Sequence, residues 1–390
     1  MIVAVVTTGR QDWGILAPVC RAIAATPGLS LRLLAGGLHH RGGLGRELDG
    51  IPVDHVLPRL GDGQDDRIVA AAAAATLDAV AAGSVGADAL LVAGDRTETL
   101  AAGVAATCLR LPLVHLHGGE TTLGAIDEAC RHALSRLAVL HGVSHPAFGD
   151  FLVERGEPPG RIVVSGAPAL DGLLDGSLPS AAELSAFVGR QLGHGPLFLL
   201  THHPATLGGD PITEIHAVLE GIALAAPVGS LVVMTAANAD SGGDAINRIL
   251  ADRAAADPRF VVVRDLGSRR WWGLMALAAC LIGNSSSGIL EAPCFAVPVV
   301  NVGARQQGRL RIANDPQHQD VPAEPQAIAG AIRRVPTPML PRRRQATSYG
   351  DGHGAARIAE ALVRLARLTP AQRLDRRIPL PFLEDRHHAT

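Results

Sequence analysis

The residues able to do chemistry in this chain fall in small groups, each just behind a short apolar run. After Leu90-Leu91-Val92-Ala93 comes Gly94-Asp95-Arg96, an acid beside a cation. After Leu113-Val114-His115-Leu116 comes His117-Gly118-Gly119-Glu120, where two glycines let a ligand approach the backbone next to a carboxylate. A few residues on, Asp127-Glu128 opens a helix that carries Arg131-His132. Each acid also has a plainer explanation. Asp95 could cap the helix starting near Thr97, Glu120 could face solvent from a glycine loop, and acids such as Asp127 in a first helical turn are favoured by the helix dipole. Taken together, Asp95, Glu120 and Glu128 make a carboxylate trio, and crowded carboxylates acquire the separated pKa values that acid–base catalysis requires.

A second set suits an anion. Behind Ile2–Val6 stands Thr7-Thr8-Gly9-Arg10, where Gly9 permits a tight turn and the helix start and the Arg10 fork both suit phosphate. An ordinary turn with a solvated Arg explains the same residues equally well. It is not the GxGxxG fingerprint, so NAD binding has no support. Thr201-His202-His203-Pro204 places two histidines after a run. No third ligand at regular spacing accompanies them, so His203 reads as facing phosphate rather than holding zinc. Gly283-Asn284-Ser285-Ser286-Ser287-Gly288 reads as a phosphate cradle of backbone N–H groups and hydroxyls at a helix start. Helix capping accounts for one of those serines, not three. Glu291, one turn along, could accept from ribose hydroxyls, and Arg305 and Arg309 follow the next run. A pyrophosphate site in one half and a carboxylate trio in the other describe a nucleotide-sugar enzyme. No Asp-rich magnesium site is evident, and no metal or other cofactor is expected.

Positioning these groups falls to apolar runs that alternate with helical stretches. Ile2–Val6, Leu31–Leu34, Leu90–Val92, Leu113–Leu116 and Ile162–Val164 read as buried strands, with helices over Leu16–Ala25, Ile68–Ala82, Thr97–Cys108 and Ala125–Val139. The rhythm weakens over Asp171–Leu184, read as a linker, and resumes with Leu197–Leu200, Leu231–Met234, Phe260–Val263, Cys280–Ile282 and Val297–Val300. The expected fold is α/β, with two Rossmann-like domains facing a central cleft. Residues 1–175 would carry the catalytic carboxylates, and 185–350 would bind the nucleotide. A helix over 354–368 would pack back on the first domain, and 378–390 would be a loose tail.

Composition narrows the field. The chain has 390 residues, 47% hydrophobic and 18% charged, with a formal net charge of -2. That supplies a core for two or three domains and argues against a phosphate-driven nucleic-acid binder. All 35 basic residues are Arg, which excludes a Schiff-base or P-loop lysine. The five Cys form no CxxC pair, so neither a zinc knuckle nor a disulfide frame is indicated. No basic segment precedes the first strand, and the apolar runs are short for a membrane span, so a cytoplasmic protein is expected.

Gly94-Asp95-Arg96, His115–Glu120, Ala125–Glu128 with Arg131-His132, His203-Pro204, Gly283–Glu291 with Ala292-Pro293, Arg305-Gln306 with Gly308-Arg309, and Tyr349-Gly350-Asp351-Gly352 together resemble the UDP-N-acetylglucosamine 2-epimerases, most closely their hydrolysing, sialic-acid-type branch. The resemblance runs from Ile2 to about Leu362. It implies a glycosyltransferase-B type fold and a UDP-sugar substrate. It also implies anti elimination of UDP to a glycal, then hydration with inversion at C2 to N-acetylmannosamine or a diacetamido-trideoxy analogue. By the resemblance, Asp95, Glu120 and Glu128 are the catalytic carboxylates and His203 aids departure of the diphosphate. Arg10, Ser285, Ser286, Ser287, Gly288, Glu291 and Arg305 hold the nucleotide. It implies a homo-oligomer, dimer or tetramer. Of Trp271-Trp272, one could stack on uracil while the other faces the core. Ala304, Gln307, His202, His353 and the stretch Asn314–Pro325 depart from the sialic-acid branch and leave the sugar open. The alternatives are a non-hydrolysing 2-epimerase and a sugar transferase of the same fold.

Overall fold

The computed structural model describes residues 1–59, 66–123, 127–174, 176–205, 209–238, 242–264, 266–311, 317–336 and 341–382. It divides into two compact units, Met1–Glu120 with Asp127–Asp171 and Ser348–Thr390, and Thr121–Ile126 with Gly172–Thr347.

The first unit contains β1 (Ile2–Thr7), α1 (Arg10–Ala25), β2 (Ser30–Ala35), a small hairpin of β3 (Glu47–Leu48) and β4 (Ile51–Pro52), β5 (His55–Val56) and α2 (Asp66–Gly83). It continues with β6 (Ala89–Ala93), α3 (Thr97–Cys108), β7 (Leu113–Leu116), α4 (Asp127–Leu137), β8 (Leu140–Val143), α5 (Pro146–Glu154) and β9 (Ile162–Val164). Its seven-stranded sheet runs β5-β2-β1-β6-β7-β8-β9, and every pair in it is parallel. Side chains alternate across a strand, so β1 feeds two cores. Val3 and Val5 face α1, while Ala4 and Val6 face the other side of the sheet with residues of α2, α3 and α4. This two-sided burial explains why the strands read as unbroken apolar runs.

The second unit contains α6 (Ala181–Val188), β10 (Leu197–Thr201), α7 (Pro211–Ala225), β11 (Leu231–Thr235), α8 (Gly243–Ala256), β12 (Phe260–Val263), α9 (Gly267–Leu277) and β13 (Ala278–Gly283). The single turn α10 (Ser287–Leu290), β14 (Val299–Val302), β15 (His318–Val321) and α11 (Pro325–Arg333) complete it. Its sheet runs β12-β11-β10-β13-β14-β15, again parallel throughout. The chain then returns to the first unit with α12 (Gly354–Ala366) and α13 (Pro370–Leu374). Ile358, Leu362 and Leu365 of α12 join the core on the α1 face. The start of α12 is capped from afar: Asp171 accepts from the N–H groups of Gly354 (2.8 Å) and Ala355 (2.7 Å). Burial raises the Asp171 pKa.

Several expectations are corrected. The latter part of the expected linker is helical, because Ser180 and Glu183 form a reciprocal capping box that starts α6. The run read as Val297–Val300 begins its strand at Val299, since Pro298 has no N–H to give the ladder. Leu140–Val143 was missed because His141 and Gly142 interrupt its apolar run. Part of the expected loose tail is held down. Arg161, buried, donates from Nε to Ile378 O at 2.6 Å and from Nη2 to Gln372 O and Asp375 O, both at 2.9 Å, and Leu380 is buried. Residues 383–390 of that tail, 125–126 of the acid motif and 314–316 of the divergent stretch lie outside the described residues. Among the described residues no helix is long and apolar enough to cross a membrane.

Candidate active site

The candidate groups follow the carboxyl ends of parallel strands, where open α/β sheets place their ligands. In the first unit, three short peptides bear the acids. Asp95 follows β6 and does not cap α3, whose cap position is taken by Arg96. Instead its Oδ2 accepts from Arg131 Nη2. Arg131 is buried on α4, and its Nη1 donates to the carbonyl of Glu120 at 2.8 Å. One guanidinium therefore fixes both the Asp95 carboxylate and the main chain that carries Glu120. Glu128 lies three positions before Arg131 on the same helix, where its Oε1 is 3.3 Å from His132 Nε2.

Glu120 does not face solvent. It is buried, and its Oε1 accepts from Ser144 Oγ at 2.7 Å and lies 2.6 Å from His117 Nδ1. The loop beneath it is sterically determined. A Cβ on Gly118 would meet Ser135 Oγ at 2.8 Å, and one on Gly119, at φ +79°, would meet the Phe148 carbonyl at 2.5 Å. His115 Nε2 lies 2.8 Å from the Gly94 carbonyl, so the ring steadies the loop that carries Asp95. Burial pushes the His115 pKa down to about 3, and the ring is neutral.

At the β1 turn, the expected anion site is partly filled from within. Asp12 accepts from the N–H groups of Thr8 (2.8 Å) and Gly9 (3.1 Å) and from the Thr7 hydroxyl (2.8 Å). Thr7 Oγ1 is in turn 2.9 Å from His39 Nε2. Burial raises the Asp12 pKa and lowers that of His39. Those two N–H groups thus serve a buried carboxylate, while Arg10, the first residue of α1, is exposed.

In the second unit the organising residue is Asn284, which the sequence reading passed over. Its Oδ1 accepts from His203 N and its Nδ2 donates to His203 O, both at 2.8 Å. Its carbonyl accepts from Arg305 Nη1 at 3.0 Å and from Gln306 Nε2 at 2.8 Å. Asn284 follows Gly283, whose φ of +124° and whose position 2.0 Å (for an added Cβ) from the Thr201 carbonyl admit only glycine. His203 is half-buried, and Asn238 N donates to its Nδ1 at 3.1 Å, so the neutral ring carries its proton on Nε2. Desolvation, then the charge of Arg305, hold its pKa down to about 3.

The serine run differs from the expected cradle. Ser286 occupies the cap position of α10 without a side-chain capping bond, Ser285 Oγ accepts from Ser287 N at 3.3 Å, and Ser287 Oγ donates to Glu291 at 2.5 Å. The helix behind them is one turn, so its dipole is small. The two tryptophans are also corrected: both are buried, and both donate to one carboxylate. Trp272 Nε1 reaches Glu291 Oε1 at 2.7 Å and Trp271 Nε1 reaches Oε2 at 3.2 Å. Burial raises the Glu291 pKa.

Two doubly wound units, one bearing three acids behind its strands and the other a histidine, an arginine and a serine run behind its own, define an enzyme on the glycosyltransferase-B plan. A model of the UDP-N-acetylglucosamine 2-epimerase family matches residues 21–363, and the chain belongs to that family. It is 33% identical over 323 residues to the GDP/UDP-N,N'-diacetylbacillosamine 2-epimerase (hydrolyzing) of Campylobacter jejuni, which covers 80% of this chain and 83% of that protein. It is 29% identical over 368 residues to the UDP-N,N'-diacetylbacillosamine 2-epimerase (hydrolyzing) of Legionella pneumophila, covering 92% and 94% of the two chains. Among solved structures, the UDP-GlcNAc 2-epimerase of Neisseria meningitidis bound to UDP-GlcNAc shares the fold, with a TM-score of 0.73 and 19% identity over 93% of this chain and 100% of that one.

Proposed function

We propose that the chain is a hydrolysing 2-epimerase of a UDP-linked 2-acetamido hexose. The observation that supports it best is the carboxylate arrangement of the first unit. Asp95 and the Glu120 main chain share Arg131, and Glu128 stands on the same helix. The names of two relatives, for N,N'-diacetylbacillosamine, support the diacetamido-trideoxy sugar as substrate, with N-acetylglucosamine as its competitor.

In this reading one carboxylate of Asp95, Glu120 and Glu128 takes the proton from C2 as the bond from C1 to the diphosphate breaks. That leaves UDP and a glycal. A proton is then delivered to C2 on the opposite face while water oxygen bonds to C1, and the free manno-configured sugar leaves. The second unit holds the nucleotide. Neutral His203 donates from Nε2 to the departing diphosphate, and Arg10 of the first unit, Arg305, Ser285, Ser286, Ser287 and Gly288 bind phosphate. Glu291, with three donors from the protein, has one acceptor direction left for ribose. Action in the cytoplasm as a homo-oligomer belongs to the same proposal.

The test is NMR of the products in heavy water with a panel of UDP- and GDP-linked 2-acetamido sugars. Free sugar inverted at C2, carrying deuterium there, together with UDP is the expected result. An epimerised nucleotide sugar without UDP release, or a product with C2 unchanged, overturns it.

A further inference from the structure

His117 combines three features that folding alone does not call for. Its backbone is left-handed, with φ +63°, a conformation that glycine adopts at no steric cost. That conformation is held in place: His117 N donates to the Gly142 carbonyl on β8 at 3.0 Å, and the two glycines that follow are packed against Ser135 and Phe148. Its ring is buried, and among the described residues Nε2 has no hydrogen-bond partner. Native proteins seldom leave a buried polar atom in that state. Its Nδ1 is tied to Glu120 Oε1, at 2.6 Å.

If the turn were all that mattered, glycine would serve it better, and an apolar side chain would avoid the orphaned nitrogen. The ring is therefore kept for the bond to Glu120. A carboxylate can only accept, so Nδ1 must carry the proton of that bond, and Nε2 is the atom left bare. Ser144 donates to the same oxygen from the end of β8. The carboxylate is thus gripped by two donors on two different loops, with its main chain gripped by Arg131.

We infer that His117 is the positioning residue of Glu120, fixing the carboxylate through an Nδ1–H donor and so setting the acid's aim at the sugar. The inference takes Glu120's catalytic role from the function proposed above. Its structural part stands without that role.

The experiment pairs two substitutions that both accept a left-handed backbone. His117→Asn places an amide N–H where Nδ1 sits. His117→Gly removes the donor and relaxes the turn. The expected result is near-normal kcat for H117N, and for H117G a kcat loss of about 10²-fold with UDP affinity by calorimetry unchanged. Equal kcat in the two variants, whether both normal or both low, overturns the inference, as does a loss of UDP affinity that matches the loss of kcat. A second arm needs no turnover: nitrogen-15 NMR of the ligand-free wild type should show His117 protonated at Nδ1, with that signal displaced in E120Q. A ring protonated at Nε2 overturns the inference. A wild type inactive on every sugar nucleotide ends the functional proposal instead and leaves the NMR result standing.

Discussion

Replacing Glu291 by Gln separates the carboxylate's work inside the protein from its proposed work on ribose. Oε1 takes the Trp272 indole, while Oε2 takes the Trp271 indole and the Ser287 hydroxyl. Glutamine keeps the size but turns one oxygen into an N–H donor. Ser287 can rotate its hydroxyl to accept, but an indole cannot, so one buried Trp N–H is left facing a donor. Charge-assisted bonds are worth ~1.5–3 kcal/mol each, and an orphaned buried donor costs ~1–3 kcal/mol. Against this, the neutral amide avoids the burial cost that raises the carboxylate's pKa. The net expectation is a loss of about 1–3 kcal/mol, sizeable against the ~5–15 kcal/mol that holds a domain together. Two of the chain's three Trp are the donors concerned, so urea unfolding followed by tryptophan fluorescence reads the site directly. A lower midpoint with an unchanged slope is expected. An unchanged midpoint refutes the brace, and a simultaneous fall in UDP affinity would assign Glu291 to the ligand alone.

Asp95→Asn, Glu120→Gln and Glu128→Gln should each lose about 10²–10⁴-fold in turnover while still binding UDP, read by product NMR and calorimetry; collapse of UDP affinity would make the acids structural. Arg10→Ala should weaken UDP binding with stability kept, and unaltered affinity excludes a phosphate contact. Gly283→Ala puts a Cβ 2.0 Å from the Thr201 carbonyl at φ +124°, so it should cost more than ~2 kcal/mol and unseat His203 with Asn284; normal thermal stability would refute that. His115 and His203 titrate at about 3 in the folded chain against 6.5 otherwise, so the unfolded chain binds more protons in between. Their contribution is whole above 6.5 and is lost as pH falls toward 3, and a urea midpoint that holds steady or rises across that window would contradict two neutral rings.

The fold was legible because two-sided burial writes each parallel strand as an apolar run, and because ligand groups in such sheets sit directly after those runs. That is why Asp95, Glu120, His203 and Arg305 could be put forward as candidates one loop at a time. What hid was the pairing between loops. Asp95 and Arg131 are 36 positions apart, and Asn284 and His203 are 81 apart. An asparagine in a Gly-Asn-Ser run looks like any turn residue until its two main-chain partners are known. The expectation that one tryptophan turns to uracil and the other to the core fails on helix geometry. On helix α9 successive residues differ by about 100°, and long indoles on adjacent positions can converge on one acceptor.

The two units solve the same positioning problem with opposite chemistry, and the difference follows from what each is proposed to hold. In the first, the charge that must be aimed is negative, and a buried guanidinium does the aiming. Arg131 fixes Asp95 through its carboxylate but Glu120 through its carbonyl, so the second acid is located without being paired by that bond. In the second, the charge that must be aimed is positive, and a neutral amide does the aiming. The Asn284 carbonyl orients Arg305 with a bond that cancels no charge, and its side chain clamps the main chain of His203 rather than the ring. A carboxylate in place of Asn284 would bring a negative charge to where diphosphate is proposed to bind, and a neutral amide in place of Arg131 would take away the cation that fixes the Asp95 carboxylate. Asn284→Asp is therefore expected to lose UDP affinity more severely than Asn284→Ala, although it is the closer isostere, because each removes the Nδ2 donor to His203 and only the aspartate adds repulsion. Calorimetry on the two variants decides it, and equal affinities would show that the added charge has no effect on the nucleotide.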